Sequence, residues 1–266
     1  MAGVPADVPL LTSKSNRVRA ARKLARRAFR AEQRLFLAEG PQAVREALAI
    51  PGVVREIFAT PGMYPELVTD GLSWHLVDEQ ALASLTETVQ PQGIVAVCEF
   101  LDVAREELPS ADLLAICADV RDPGNAGTVI RCADAAGAGG VILTGNCVDP
   151  YNGKVVRASA GSLFHLPIVV EPDPAGTVAA LQADGYAVLA ADGAGELDLD
   201  DVTDEGLLSR RTAWLFGNEA WGLPTELAAL ADHRVRIPIH GKAESLNLAT
   251  AAAVCLYASA RAQHRT

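Results

Sequence analysis

Three short stretches of this 266-residue chain carry side chains whose types and spacing could do chemistry. The first holds Arg121, Asp122, Asn125 and Arg131, the second Asn218 and Glu219, the third Ser245 and Asn247. Each follows an apolar run of strand length, at 113–118, 212–216 and 235–239. If those strands are parallel, the loops after them gather at one sheet edge, where α/β folds bind ligands. The loops are rich in Gly and Asn, so a ligand can approach the backbone closely. Backbone groups of Gly217, Ile237 and Leu246 could then read an adenine without charged side chains. From the residues alone this predicts a ligand pocket with one buried arginine and amide neighbours.

Other chemistries lack support. No GxGxxG follows a strand, so a dinucleotide-type oxidoreductase is disfavoured. No GxxxxGK[ST], HExxH or GxSxG is present, and the five histidines do not cluster. The five cysteines are scattered without a CxxC, which predicts neither disulfides nor a metal site, only small buried hydrophobes.

The elements that must hold these loops follow from periodicity. The 113–118 strand runs through the turn formers Asp122, Pro123, Gly124 and Asn125 into a helix over 126–136, with Asn125 as its cap. Glycines at 137, 139 and 140 end that helix before a strand over 141–143. Further on we expect a helix over 154–162, strands over 167–170 and 186–191 around a helix over 174–184, and an acidic irregular surface connection over 192–209. A helix from Pro224 to about Ala231 and a closing helix over 246–261, capped by Ser245, complete this part. The closing helix shows no polar face over three turns, which predicts cover on a second side by another copy of the chain.

The N-terminal third reads differently. Residues 1–12 are expected to be a flexible N-terminus. A helix is expected over 15–34, then strands over 35–38, 54–59, 74–77 and 93–100 alternating with helices over 42–49, 65–70 and 78–87. The domain boundaries expected are 13–100, a charged linker over 101–112, and 113–266.

Charge is unevenly spread. The net charge is −10, yet residues 14–34 hold nine Lys/Arg against one acid, Glu32. A basic arm on an acidic body predicts a polyanion partner, because neutralising phosphates supplies sequence-independent affinity for nucleic acid. Arg17, Arg22, Arg26, Arg27 and Arg30 are the candidate RNA contacts, with Arg157 in the second domain. No apolar run approaches the ~20 residues that span a bilayer, and residues 1–12 lack the charged and apolar regions of a leader. A cytoplasmic protein with no membrane partner is expected.

Three segments also resemble a known family in order and spacing. DPGNAGTVIRCADAAGAGGVIL (122–143), WLFGNEAWGLP (214–224) and VRIPIHGKAESLNLATAAAVCLYA (235–258) are similar to the three motifs of the SpoU/TrmH RNA ribose 2′-O-methyltransferases of the SPOUT superfamily. VVRASAGSLFHLP (155–167) fits between them. LFLAEGPQAVREAL (35–48) and VQPQGIVAVCE (89–99) resemble the family's N-terminal RNA-binding domain, a ribosomal-protein-like α/β fold. The resemblance implies an α/β enzyme whose parallel-sheet SPOUT domain is threaded into a deep trefoil knot, works as a homodimer and uses S-adenosylmethionine without a metal. Its substrate would be structured RNA, with 23S ribosomal RNA first, transfer RNA second, and a non-catalytic RNA-binding protein as the alternative class.

By motif position, the resemblance makes Arg131, Asn125, Glu219, Ser245 and Asn247 the catalytic candidates. Thr144, Gly145, Leu215, Gly217, Asn218, Ile237, Ile239 and Leu246 become the cofactor-binding candidates. Ala220 and Trp221 depart mildly from the second motif, which leaves open whether Trp221 packs the cofactor loop or stacks on RNA. An arginine's pKa above about 12 makes it a poor base. Arg131 is therefore read as a clamp on phosphate and the 2′ oxygen, with an ion pair to Asp134 as its structural alternative.

Overall fold

A computed structural model describes residues 9–63 and 71–264, and the helix expected over 65–70 lies outside them. The described chain divides into two compact units, one of residues up to Leu101 together with Tyr151–Phe164, the other of Asp102–Pro150 and the residues from His165 onward. The segment 151–164, placed by sequence inside a continuous 113–266 domain, thus groups with the first unit.

In the first unit, α1 (Asn16–Arg22), a 3₁₀ turn (Lys23–Ala25) and α2 (Arg27–Gln33) replace the single helix expected over 15–34. The break falls at Arg26, whose backbone is extended (φ −97°, ψ 129°). Arg30 then turns inward and donates to the carbonyls of Leu24 (2.8 Å) and Ala25 (2.9 Å), groups the interrupted helix leaves without partners. There follow β1 (Leu35–Glu39), α3 (Pro41–Leu48), β2 (Val54–Ala59), β3 (Ser73–Leu76), α4 (Glu79–Ala83) and β4 (Ile94–Glu99). The sheet order is β1-β4-β2-β3, with β4 antiparallel to both neighbours and β2 parallel to β3. Leu11, expected in a loose N-terminus, instead bonds to Leu76 and Asp78 through its backbone.

The second unit opens with β5 (Leu113–Ala118), buried along its whole length as a central parallel strand must be. Then come α5 (Pro123–Ala135) and β6 (Val141–Thr144). After α6 (Gly153–Ala158), which belongs to the first unit, follow β7 (Ile168–Glu171), α7 (Pro174–Ala183) and β8 (Ala187–Ala191). The stretch expected to be irregular contains β9 (Leu197–Asp198) and α8 (Leu199–Asp204), whose buried Leu199 and Val202 tie it to the core. Last come β10 (Thr212–Phe216), α9 (Thr225–Ala228), β11 (His233–Arg236) and α10 (Leu248–Gln263).

These strands form one sheet, β7-β6-β5-β10-β8-β11-β9, and every pair in it is parallel. The carboxyl ends of β5, β8, β10 and β11 therefore face the same edge. Trp214 on β10 is fully buried, and its indole donates to Ser259 of α10 at 2.8 Å. No described helix is long and apolar enough to cross a membrane.

Candidate active site

The loop after β5 turns at Asp119, whose φ of +55° is a left-handed conformation that Asp tolerates better than most residues. Its carbonyl accepts from Asn218 Nδ2 (2.7 Å) and its carboxylate from the Asn146 amide (2.7 Å). The loop is thus tied to the loops after β10 and β6. Three residues on, Asp122 caps α5 by accepting from the Asn125 amide at 2.9 Å, with Pro123 in the first turn. Asp122, not Asn125, is the cap. The Asn125 carboxamide is free for other work.

That work is a chain of side-chain contacts. Glu219 accepts from the backbone amides of Arg121 (3.2 Å) and Asp122 (3.0 Å) and from Asn125 Nδ2 (3.3 Å). These amides precede the first turn of α5, where an acidic group is favoured by the helix dipole. Asn125 Oδ1 accepts from Asn247 Nδ2 at 3.1 Å. Asn247 Oδ1 meanwhile caps α10 through the amides of Ala249 and Thr250. Asn247 thus takes the capping place expected of Ser245, and α10 begins at Leu248. One residue from each of the three motifs meets here.

The loop after β10 is held by reciprocal backbone bonds between Asn218 and Gly222, both 2.9 Å, and by Ala220 donating to Asn218 Oδ1. A Cβ on Gly217 would lie 2.3 Å from the Gly222 carbonyl carbon, so only glycine permits this fold-back. Beside the loop lies a cavity of about 630 Å³. Phe216, Gly217, Asn218, Glu219, Ile237, Ile239, Ser245 and Leu246 line it, as do Ala191, Asp192 and Gly193 from the end of β8 and Asp198 from β9.

Of the expected cofactor residues, Gly217, Asn218, Ile237, Ile239 and Leu246 line this cavity, and Thr144, Gly145 and Leu215 do not. Thr144 is fully buried beside Thr177, and Leu215 is core. Sequence reasoning missed Asp192 and Gly193 by treating 192–209 as surface connection, although they too follow a parallel strand. The lining joins apolar side chains to the carboxylates of Asp192, Asp198, Glu219 and Glu244, against Arg236, which is paired with Asp198 at 3.4 Å. Apolar walls with excess negative charge suit a flat base linked to a cationic group. S-adenosylmethionine has those parts, and its size is within the range for such a cavity.

The other candidates lie apart from this cluster. Arg131 is exposed, not buried, and six residues along α5 from Asn125 puts the two about 120° apart around the helix. It is not paired with Asp134, which accepts from His165 Nδ1 at 2.8 Å. Among the expected RNA contacts, Arg30 is buried as a carbonyl donor and Arg17 pairs with Glu56 (3.2 Å). Arg157 is engaged by Glu39 (3.1 Å) and Glu87 (3.4 Å) in the first unit. Arg22, Arg26 and Arg27 are exposed. Trp221 does not line the cavity.

Four of the five cysteines are buried and not poised for chemistry. Burial pushes the Cys147 thiol up to about 11 and raises those of Cys98, Cys117 and Cys255 as well.

The chain is similar to known proteins over most of its length. A Bacillus subtilis protein named 23S rRNA (guanosine(2553)-2′-O)-methyltransferase RlmP is 36% identical over 250 residues, covering 92% of this chain and 96% of that protein. The AdoMet-bound rRNA methyltransferase from Sinorhizobium meliloti superposes with a TM-score of 0.83 at 34% identity, over 96% of this chain and 98% of that one. The SpoU methyltransferase AviRb from Streptomyces viridochromogenes, in complex with AdoMet, gives 0.82 at 30% identity, over 93% and 98%. Residues 15–96 match the MRM3-like substrate binding domain. Residues 112–257, which hold the sheet, the three-motif cluster and the cavity, match the SpoU rRNA Methylase family, and this chain belongs to it.

Proposed function

We propose that this chain transfers the methyl group of S-adenosylmethionine to a ribose 2′-hydroxyl of ribosomal RNA, 23S in the first place. The observation that carries this reading is the Glu219–Asn125–Asn247 chain standing beside a cofactor-sized cavity at the carboxyl edge of the sheet. Family membership supports it, as does the name of the Bacillus relative. The cofactor supplies an electrophilic methyl group. Gly217, Asn218, Ile237, Ile239 and Leu246 are the residues that would hold it.

Asn125 and Asn247, fixed by their mutual bond and by Glu219, would orient the ribose, with Ser245 on the cavity side. Arg131 would clamp phosphate and the 2′ oxygen, and the hydroxyl proton would leave through phosphate or water. Arg131 stands off the cluster within one chain. It lies one turn before Ala135, whose carbonyl accepts from the Tyr257 hydroxyl of α10 at 3.4 Å. Val254 and Tyr257 form an exposed apolar stripe on α10, 39% and 53% accessible. A homodimer through that stripe covers it and brings Arg131 toward a second copy's site. The same reading includes the family's trefoil knot, an RNA-gripping N-terminal domain over 13–100 with Arg22, Arg26 and Arg27 on its surface, and residence in the cytoplasm.

The test is tritium transfer from labelled S-adenosylmethionine to total ribosomal RNA and, separately, transfer RNA. Alkali-resistant label at one dinucleotide of ribosomal RNA, lost with Arg131→Ala, is expected. Label in transfer RNA alone moves the substrate class, and cofactor binding without label in either pool counts against the substrate assignment. Failure to bind cofactor removes the enzyme reading and leaves an RNA-binding protein. Arg131→Lys should stay poor, because a point charge loses the guanidinium fork.

A further inference from the structure

We propose that Trp221 and Arg121 form a stacking platform for an unpaired nucleobase of the RNA strand that carries the target ribose, an assignment that rests on the RNA substrate read above. The Arg121 guanidinium lies 5.1 Å from the centroid of the Trp221 ring. Trp221 is 55% exposed, although its neighbours Ala220 and Gly222 both line the cavity. Trp221 therefore stands on the outer side of the cofactor loop.

The platform is rigid where it is attached. The reciprocal Asn218–Gly222 bonds close the loop around Trp221, and Asn218 anchors it to Asp119. Arg121 is fixed at its backbone by Glu219, two residues before Trp221 and itself bonded to Asn125. The two platform residues thus flank the cluster that would hold the ribose.

Charge points the same way. The chain outside its basic N-terminal arm is strongly acidic, yet no hydrogen bond or ion pair engages the Arg121 guanidinium among the described residues. A cation left free beside an exposed indole offers a π face and a phosphate partner together. Unpaired bases are recognised in RNA by stacking on aromatic rings and guanidinium planes, with the backbone phosphate meeting positive charge. Of the three tryptophans, Trp214 is fully buried and Trp74 half-buried, so Trp221 is the one most open to a ligand.

The experiment uses the full chain with protein-free large-subunit ribosomal RNA as methyl acceptor. Trp221→Ala should raise the KM for RNA about tenfold or more, the range for one stacked base, with kcat and calorimetric S-adenosylmethionine affinity unchanged. Trp221→Phe should restore the KM. Tryptophan fluorescence gives a readout without turnover: polyadenylate should quench it in the wild type and not in Trp221→Phe, and heparin, a polyanion without bases, should not quench it. An unchanged KM in Trp221→Ala overturns the proposal, as does equal quenching by heparin. A change of oligomeric state in Trp221→Ala by sedimentation overturns it too, assigning the ring to a contact between copies. Base-dependent quenching in a wild type that transfers no methyl group would sink the transferase reading while supporting the platform.

Discussion

Asn247 donates to the Asn125 carboxamide across 3.1 Å, joining the start of α10 to the start of α5. The same Asn247 caps α10 with its oxygen, so one side chain serves both helix and site. The two duties separate by mutation. Asn247→Asp keeps an acceptor for the Ala249 and Thr250 amides but sets an oxygen against Asn125 Oδ1. Asn125 cannot turn its amide over in response, because its nitrogen already donates to Glu219. Scanning calorimetry should find the melting temperature near wild type, while methyl transfer falls tenfold or more, a loss of about 1.4 kcal/mol or more in transition-state stabilisation. Asn247→Ala should lose activity and also about 1 kcal/mol of stability with the cap.

Gly217→Ala places a methyl group against the Gly222 carbonyl at a distance no real contact reaches. Backbone has to move, and with it the wall of the cavity. Cofactor affinity measured by calorimetry should drop at least tenfold. Gly241→Ala, where an added Cβ meets nothing within 4 Å, is the matched control and should bind normally.

The arginines of the N-terminal arm divide into two kinds. Arg30 is 4% exposed and satisfies two carbonyls at the helix break, so Arg30→Ala should cost about 1–3 kcal/mol in urea unfolding. Arg22, Arg26 and Arg27 are exposed. Alanine there should leave unfolding unchanged, weaken RNA binding, and flatten the slope of log K against log salt by about one per residue that meets phosphate.

Thiol reactivity reports on Arg131. Burial holds the Cys132 thiol above its ordinary value, and the Arg131 cation partly offsets this by favouring the thiolate. Removing the cation raises the pKa, so less thiolate is present at any given pH below it. Arg131→Ala should slow maleimide labelling of Cys132 and shift its pH profile upward. Mass spectrometry of the labelled native protein should find Cys132 modified and the four buried cysteines untouched.

Strands were the most readable elements of this chain. The limits expected for β5 and β10, 113–118 and 212–216, match those observed, because six- and five-residue apolar runs between polar turns have few alternatives. The break at Arg26 was hidden, since helical spacing of Val18, Ala21, Ala25 and Phe29 continues across it and only the inward turn of Arg30 reveals the join. Acidic composition masked β9 and α8, although Leu199 and Val202 carry a helical interval. In the site, the motif residues at 125, 219 and 247 come together as a cluster, whereas Asp192 and Gly193 were lost with the stretch dismissed as surface. Capping went to Asp122 and Asn247 in place of Asn125 and Ser245, a choice between neighbouring polar residues that backbone geometry decides.

The membership of Tyr151–Phe164 in the first unit has a consequence for the chain as an inheritable object. Phe36 on β1 rests against Tyr151 and Phe164, with ring centroids 4.8 and 6.0 Å away, and Leu101 donates its amide to the Tyr151 hydroxyl. A gene fragment ending near residue 101 would encode a sheet stripped of part of its own packing. The charged stretch over 101–112 that the sequence marks as a linker is therefore no place to cut. Recombination that exchanges one RNA-recognition module for another has to carry two separated pieces of coding sequence, or rebuild the aromatic seat they share.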